Sequence, residues 1–177
     1  DQVKKRIFEG PFEKFYEEQS YGRISFTGDV YGWIRSNKII NEQTGNYMCD
    51  VVSLDDPEVK QFIAINNISL AQYNQIVFVA FHPYLNKRGG CTSIGQLKIQ
   101  NGLGSIAIVG GDNNISDPNI PFNLFSFEHA LSHEIGHGLG LLGHANSLYC
   151  LFGDILRGNP CFTEEYGNYY DVMGHIQ

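Results

Sequence analysis

His133 and His137 stand four residues apart with Glu134 between them, and on an α-helix that spacing brings both imidazoles to one face, one turn apart. Imidazole nitrogens placed this way can converge on one divalent metal ion, while a neighbouring carboxylate can take and return a proton. The chain continues Gly138, Leu139, Gly140, Leu141, Leu142, Gly143, His144. A glycine here can end the helix in a left-handed turn and swing a third imidazole back toward the first two. Three neutral imidazoles leave a zinc ion one open position, and zinc so held lowers the pKa of a water toward about 7 and polarises a carbonyl. Glu134 then reads as a general base and not a ligand, because residues one apart on a helix do not share a face. The spacing points to metal-assisted hydrolysis at His133, His137 and His144; an uncommitted polar helix face is the other reading of the first pair alone.

A helix must carry this constellation, and residues 122–139 can form it. Ser126 is the expected N-cap and Glu128 lies in the first turn, where the helix dipole favours a carboxylate. Leu131, Ile135 and Leu139 recur every four residues as the expected buried stripe. His129, one turn before His133, reads as a supporting or surface residue rather than a ligand. Further upstream, Pro11 to Gln19 predicts a short helix, and Arg23 to Trp33 alternates well enough to predict a strand interrupted at Gly28. Asp56-Pro57 predicts a helix start that fades by Asn66-Asn67. Gln75 to Phe81 is a continuous apolar run expected to be a buried strand, Cys91 to Ile99 a strand or ordered loop, and Gly104 to Gly110 another strand. Asp112, Asn113, Asn114 and Asp117 crowd oxygen ligands together without the register of a known calcium loop; an ordinary turn is the first reading and a Ca²⁺ site the second.

With 177 residues, 42% hydrophobic and 13% aromatic, the chain is sized for one domain with a packed core, 1–177. Nineteen acidic against 12 basic residues give a formal net charge of -7, and no basic cluster exceeds Lys4-Lys5-Arg6, so a nucleic-acid partner is not expected. No apolar run approaches the roughly 20 residues that cross a bilayer. The start at Asp1 lacks a signal pattern and an initiator Met, which predicts a mature or trimmed form. Cys49, Cys91, Cys150 and Cys161, an even number without CxxC spacing, fit disulfides and a secreted, extracellular location better than buried thiols. Three pairings are open; Cys150 with Cys161, and Cys49 with Cys91, is preferred.

The run His133 to His144 resembles the metzincin zinc motif HExxHxxGxxH, and Tyr170-Asp171-Val172-Met173-Gly174 looks like the methionine turn of that clan. Ser20-Tyr21-Gly22, Gly28-Asp29-Val30-Tyr31-Gly32-Trp33, the segment 144–148, Cys150, Cys161 and Glu165-Tyr166-Gly167 are similar to the gametolysin-type metallopeptidases. The resemblance implies an α+β, metzincin-like catalytic domain with a mixed twisted sheet, a backing helix and an active-site helix. It implies a secreted zinc endopeptidase, expected to be monomeric, whose partner is an extended polypeptide. It further implies an edge strand that pairs with substrate, placed at Ser105, Ile106, Ala107, Ile108, Val109 and Gly110. Met173 would underlie the zinc site, and His175, where some metzincins hold a tyrosine, would be a fifth ligand or oxyanion donor or else a solvent-exposed chain-end residue.

Two departures accompany the likeness. Leu141, Leu142 and Gly143 separate Gly140 from His144, one residue more than the family motif; a turn helped by Gly143 is expected to absorb it, with Asp154 or Glu164 as substitute oxygen ligands. The chain also stops at Gln177, soon after Met173, which reads as a C-terminally trimmed catalytic core. Two other functions compete. One is a non-catalytic metzincin-like binding or adhesion module, against which the presence of Glu134 argues; the other is a zinc hydrolase of a non-peptide amide.

Overall fold

The computed structural model describes residues 2–37, 52–80, 90–92, 97–99, 102–110, 124–141, 143–150, 161–168 and 171–174. Helices α1 (Gln2–Glu9) and α2 (Pro11–Gln19) are followed by α3 (Pro57–Ile65), a single 3₁₀ turn (Leu70–Gln72) and strand β1 (Gln75–Ala80). Strands β2 (Gly90–Thr92), β3 (Leu97–Ile99) and β4 (Gly102–Gly110) precede helix α4 (Leu124–Gly138), and the hairpin β5 (Ser147–Cys150) and β6 (Cys161–Glu164) follows it. The architecture is α+β, with a mixed sheet: β1 runs parallel to β4, while β2 and β3 run antiparallel to it.

Strand β4 is the hub of that sheet. It pairs with β1 from Gln75 opposite Ser105 to Ala80 opposite Gly110, and its other side takes β3 at 102–104 and β2 at 107–109. Ser105 to Gly110 is therefore an interior strand and not the edge the resemblance implied; a strand hydrogen-bonded on both sides has no row of free amides and carbonyls to offer a peptide. Among the described residues the outer position on that side belongs to β2 and β3. Ser105, Ala107 and Val109 alternate onto one fully buried face, which is the period of two expected for a strand facing a core.

Helix α4 packs against β4 and β2. Its Ala130, Leu131 and Ile135 join Val109 in a core completed by Phe12 and Tyr16 of α2. Phe12 and Tyr16 lie one helical turn apart, so one face of α2 delivers both rings, 5.4 Å centre to centre and edge to face. The Tyr16 hydroxyl donates to the carbonyl of Ser132, one residue before His133, which satisfies the polar end of a buried tyrosine. Burial holds that hydroxyl well above the ordinary tyrosine range, so it stays a donor. Helix α2 thus backs α4 through apolar contact and one hydrogen bond.

Four local expectations fare differently. Among the described residues Arg23 to Trp33 pairs with no strand; Ile24 and Phe26 do pack on the core, because alternation reports which face is buried and not whether a hydrogen-bonding neighbour exists. Helix α4 begins at Leu124, so Ser126 lies inside its first turn and not at the N-cap position. Leu139 is exposed, since the helix ends one residue earlier and the apolar stripe with it. Asp56 stands at the N-cap position of α3 behind Pro57, but its carboxylate accepts from the Ser53 amide at 2.9 Å and makes no cap bond to the helix. Among the described residues no helix is long and apolar enough to cross a membrane.

The hairpin β5–β6 has little core beneath it and is held by other means. Cys150 sits opposite Cys161 and the two form a disulfide, the preferred pairing from sequence. Closing a separation of 11 residues removes unfolded-state entropy worth about 3 kcal/mol. Tyr149 stacks on Phe162 across the strands at 5.8 Å. Beyond the hairpin the chain folds tightly on itself: a Cβ at Gly174 would lie 1.7 Å from the backbone oxygen of Asn168. Because backbone and not a flexible side chain fills that space, Gly174→Ala should destabilise the protein by roughly 3 kcal/mol or more. Gly143→Ala, where nothing lies within 4 Å, should stay within about 0.5 kcal/mol of the parent. Denaturant midpoints of the two variants check both expectations.

Candidate metal centre

Helix α4 presents His133, Glu134 and His137 to the protein interior with 7%, 6% and 5% of their surface exposed. Polar side chains this buried need partners. The end of the helix supplies one. Gly140 takes φ +104°, its amide donates to the His137 carbonyl at 2.9 Å and the Leu141 amide donates to the Gly136 carbonyl at 3.0 Å. These two bonds are the Schellman closure of a helix on a left-handed glycine. The same turn aims the Leu141 carbonyl at His137, whose Nδ1 donates to it at 2.7 Å. Gly143 adopts no left-handed conformation, so the freedom that reverses the chain is spent at Gly140.

Each of the three imidazoles is fixed the same way. His133 Nδ1 lies 2.9 Å from the Val172 carbonyl, and His144 Nδ1 lies 2.7 Å from Glu165 Oε1. Carbonyl and carboxylate oxygens only accept, so Nδ1 carries a proton in all three rings, and in a neutral ring that arrangement leaves the lone pair on Nε2. Ligand atoms of His133, His137 and His144 lie within 4.8 Å of one another, close enough to share one ion. Three neutral nitrogen donors with their second nitrogens tied to oxygen acceptors are a set that suits zinc. These three residues could therefore hold a metal ion, and the residue inserted ahead of His144 does not exclude it from the group.

The other side of the site comes from the chain that follows α4. The Met173 backbone carbonyl accepts from Ala145, and the Ala145 carbonyl accepts from Asn168, tying the His144 segment to both later turns. Met173 is buried, and a Cβ at Gly136 would meet its sulfur at 2.8 Å and the Tyr16 hydroxyl at 3.3 Å. Glycine between the two helix histidines is what lets the methionine approach from one side and the backing tyrosine from another. Tyr166 stacks on His144 with ring centres 3.6 Å apart.

Electrostatics follow from burial. It lowers the His133 pKa to about 4, the Val172 hydrogen bond opposing and the neighbouring His137, His144 and His129 reinforcing the shift. The ring is thus neutral, as a ligand must be, across the physiological range. Burial raises Glu134 to about 7, where a carboxyl group can both take and give a proton near neutrality. Tyr166 is raised by burial, then by the charges of Glu165 and Glu134, which keeps its hydroxyl protonated.

Of the residues singled out by sequence, His133, Glu134, His137, His144 and Met173 come together here. His129 stays outside the ligand group, its ring 6.5 Å from that of His133, and Glu164 is exposed on β6. His175, Asp154, Cys49 and the stretch 112–119 lie outside the described residues. Sequence reasoning assigned no role to Glu165, Tyr166 or the carbonyls of Leu141 and Val172. The signal for Glu165 was available: a cross-strand Cys150–Cys161 pair sets the register that brings Glu164 opposite Ser147, and so Glu165 near His144.

The chain matches no protein-family model, no curated protein and no solved structure. The site's electrostatics can be tested on its own residues. Glu134 has a folded pKa raised from 4.5 to about 7, so the folded state holds a proton that the unfolded state releases, and stability falls as pH rises through that window. In chelator-treated protein, Glu134→Gln should therefore be more stable than the parent, the gap opening between about pH 4.5 and 7 and levelling above it at no more than about 3 kcal/mol. The His133 contribution has the opposite sign but is common to both proteins and cancels in the difference. Thermal unfolding at pH 4.5, 6 and 8 measures it; a gap that does not grow with pH would refute the assignment.

Proposed function

We propose that the chain is a zinc-dependent endopeptidase of metzincin type, most similar to the gametolysin-type peptidases, secreted and acting as a monomer on extended polypeptide. The observation that carries this reading is the convergence of three imidazoles, each with Nδ1 tied to an oxygen, around a buried Glu134. A methionine turn packed under Gly136, with its Val172 carbonyl on His133, supports the metzincin comparison. The Cys150–Cys161 disulfide supports an oxidising, extracellular setting.

Zinc held by His133, His137 and His144 would supply a water of lowered pKa and a Lewis acid for the scissile carbonyl. Glu134 takes the proton of the attacking water and passes it to the departing amine, a shuttle for which a carboxyl group poised near neutrality is suited. The hydrogen bonds at Nδ1 hold the rings still while charge develops on the substrate. Substrate backbone pairs along the outer antiparallel strands, of which β2 lies against α4, and not along the interior Ser105 to Gly110.

The direct test is metal content by elemental mass spectrometry together with cleavage of a mixed peptide library, with and without chelator. About one zinc per chain and chelator-sensitive cleavage are expected. Glu134→Ala should retain zinc while turnover falls by roughly 10²- to 10⁴-fold or more, whereas His133→Ala and His137→Ala should lose the metal. Zinc without cleavage in the parent would move the reading to a binding module, and cleavage confined to non-peptide amides would move it to the other hydrolase class.

A further inference from the structure

The third imidazole differs from the other two in where it is anchored. His133 and His137 are built into α4, but His144 lies beyond the helix on an eleven-residue reach from His133, in a segment with no secondary structure of its own. A ligand on such a segment needs something else to set its ring plane. Two consecutive residues do this. Glu165 Oε1 accepts from His144 Nδ1 at 2.7 Å, and the Tyr166 ring lies on the imidazole at 3.6 Å with 26° between the planes. One fixes rotation within the ring plane and the other fixes the plane itself.

Tyr166 is held in that place at a cost. Its φ of +61° is left-handed, a conformation that costs a residue with a Cβ about 1–2 kcal/mol. The surrounding chain enforces it: the Tyr166 amide donates to Asn146 Oδ1 at 3.3 Å, and the next residue must be Gly167, where a Cβ would meet Ser147 Cβ at 2.9 Å. The disulfide-closed hairpin sets the register of both sides, since β5 starts three residues after His144 and β6 ends one before Glu165.

We infer that Glu165 and Tyr166 are positioning residues for the third metal ligand, and that the β5–β6 hairpin exists in this site to bring them to His144. The inference rests on the metal-binding reading proposed above. Outer partners of histidine ligands typically contribute 10- to 100-fold to metal affinity. The Glu165 carboxylate is 67% exposed, so water competes for the bond and the lower end, about tenfold, is expected.

The experiment is zinc affinity of the full chain by competition with a chromogenic chelator, with the visible spectrum of the cobalt-substituted protein as a second readout. Glu165→Ala should weaken zinc binding about tenfold and shift the cobalt bands, while Glu165→Gln, whose amide oxygen can still accept from Nδ1, should recover most of the affinity. Tyr166→Phe keeps the stacked ring and should bind as the parent does; Tyr166→Ala should not. Glu164→Ala removes an equally charged, exposed neighbour and should leave affinity unchanged. Both glutamates are exposed, so circular dichroism should show every Glu variant folded. A parent that binds one zinc with Glu165→Ala equal to it, or Glu164→Ala and Glu165→Ala equally impaired, would overturn the positioning role while leaving the metal site standing. A parent that binds no zinc would overturn both.

Discussion

The site depends on where three protons sit. An imidazole can offer Nε2 to a metal only while its proton is kept on Nδ1, and a buried Nδ1–H needs an oxygen fixed in front of it. The three oxygens come from three different places. Leu141 supplies one from the turn that ends α4, Val172 supplies another from the turn that holds Met173, and Glu165 supplies the third from the chain after β6. The helix contributes two histidines and the glutamate, but all three acceptors lie in the chain that follows it. Much of the close packing in residues 136–174 follows from that division. Gly136 admits Met173, Gly140 reverses the chain, Gly167 admits Ser147 and Gly174 admits the Asn168 carbonyl. At Gly174 backbone meets backbone, Gly136 and Gly167 leave room for neighbouring side chains, and Gly140 supplies a left-handed turn in open space.

Burial gives the site its chemistry and also strains it. The same exclusion of water that keeps His133 neutral raises Glu134 toward neutrality, and both shifts oppose charge in the folded state. A metal ion reverses that balance locally, since a dication favours both a neutral imidazole and an ionised carboxylate. The site's own residues thus bear these shifts at some expense in stability, which an ion held by the three imidazoles would offset. Support comes from behind: Phe12 and Tyr16 hold α4 against β4, and the Tyr16 hydroxyl grips the helix at Ser132, the residue next to the first ligand.

What was legible in the sequence is what local physics decides. The helix bearing His133 and His137, the helices starting at Pro11 and Pro57, the strand from Gln75 and the glycine-ended turn all follow from periodicity, caps and backbone freedom within a few residues. What was misread depends on distant neighbours. Arg23 to Trp33 alternates like a strand, but whether it pairs is decided elsewhere in the sheet. Ser105 to Gly110 has a strand's composition, yet its interior place is fixed by β1 on one side and β2 and β3 on the other. Ser126 and Leu139 failed by three residues or fewer at helix ends, where the last turn depends on what packs against it. Glu165 went unassigned because a carboxylate 21 residues from His144 acquires meaning only through the register of a disulfide-bonded hairpin.

The residue inserted before His144 shows why motif spacing is a weaker constraint than it looks. Lengthening the connection from His137 to His144 by one residue changes its closure entropy by only roughly 0.1 kcal/mol. The hairpin disulfide, by contrast, is worth about 3 kcal/mol. The Gly140 turn completes the conformational reversal within the first four residues after His137. Orientation of the third ring is then set from outside the connection, by a carboxylate and a tyrosine ring that approach from the far side of β6. A spacing rule summarises chains in which the connection itself aims the histidine. Where partners aim it instead, the length can drift by a residue while the nitrogen stays where the other two need it.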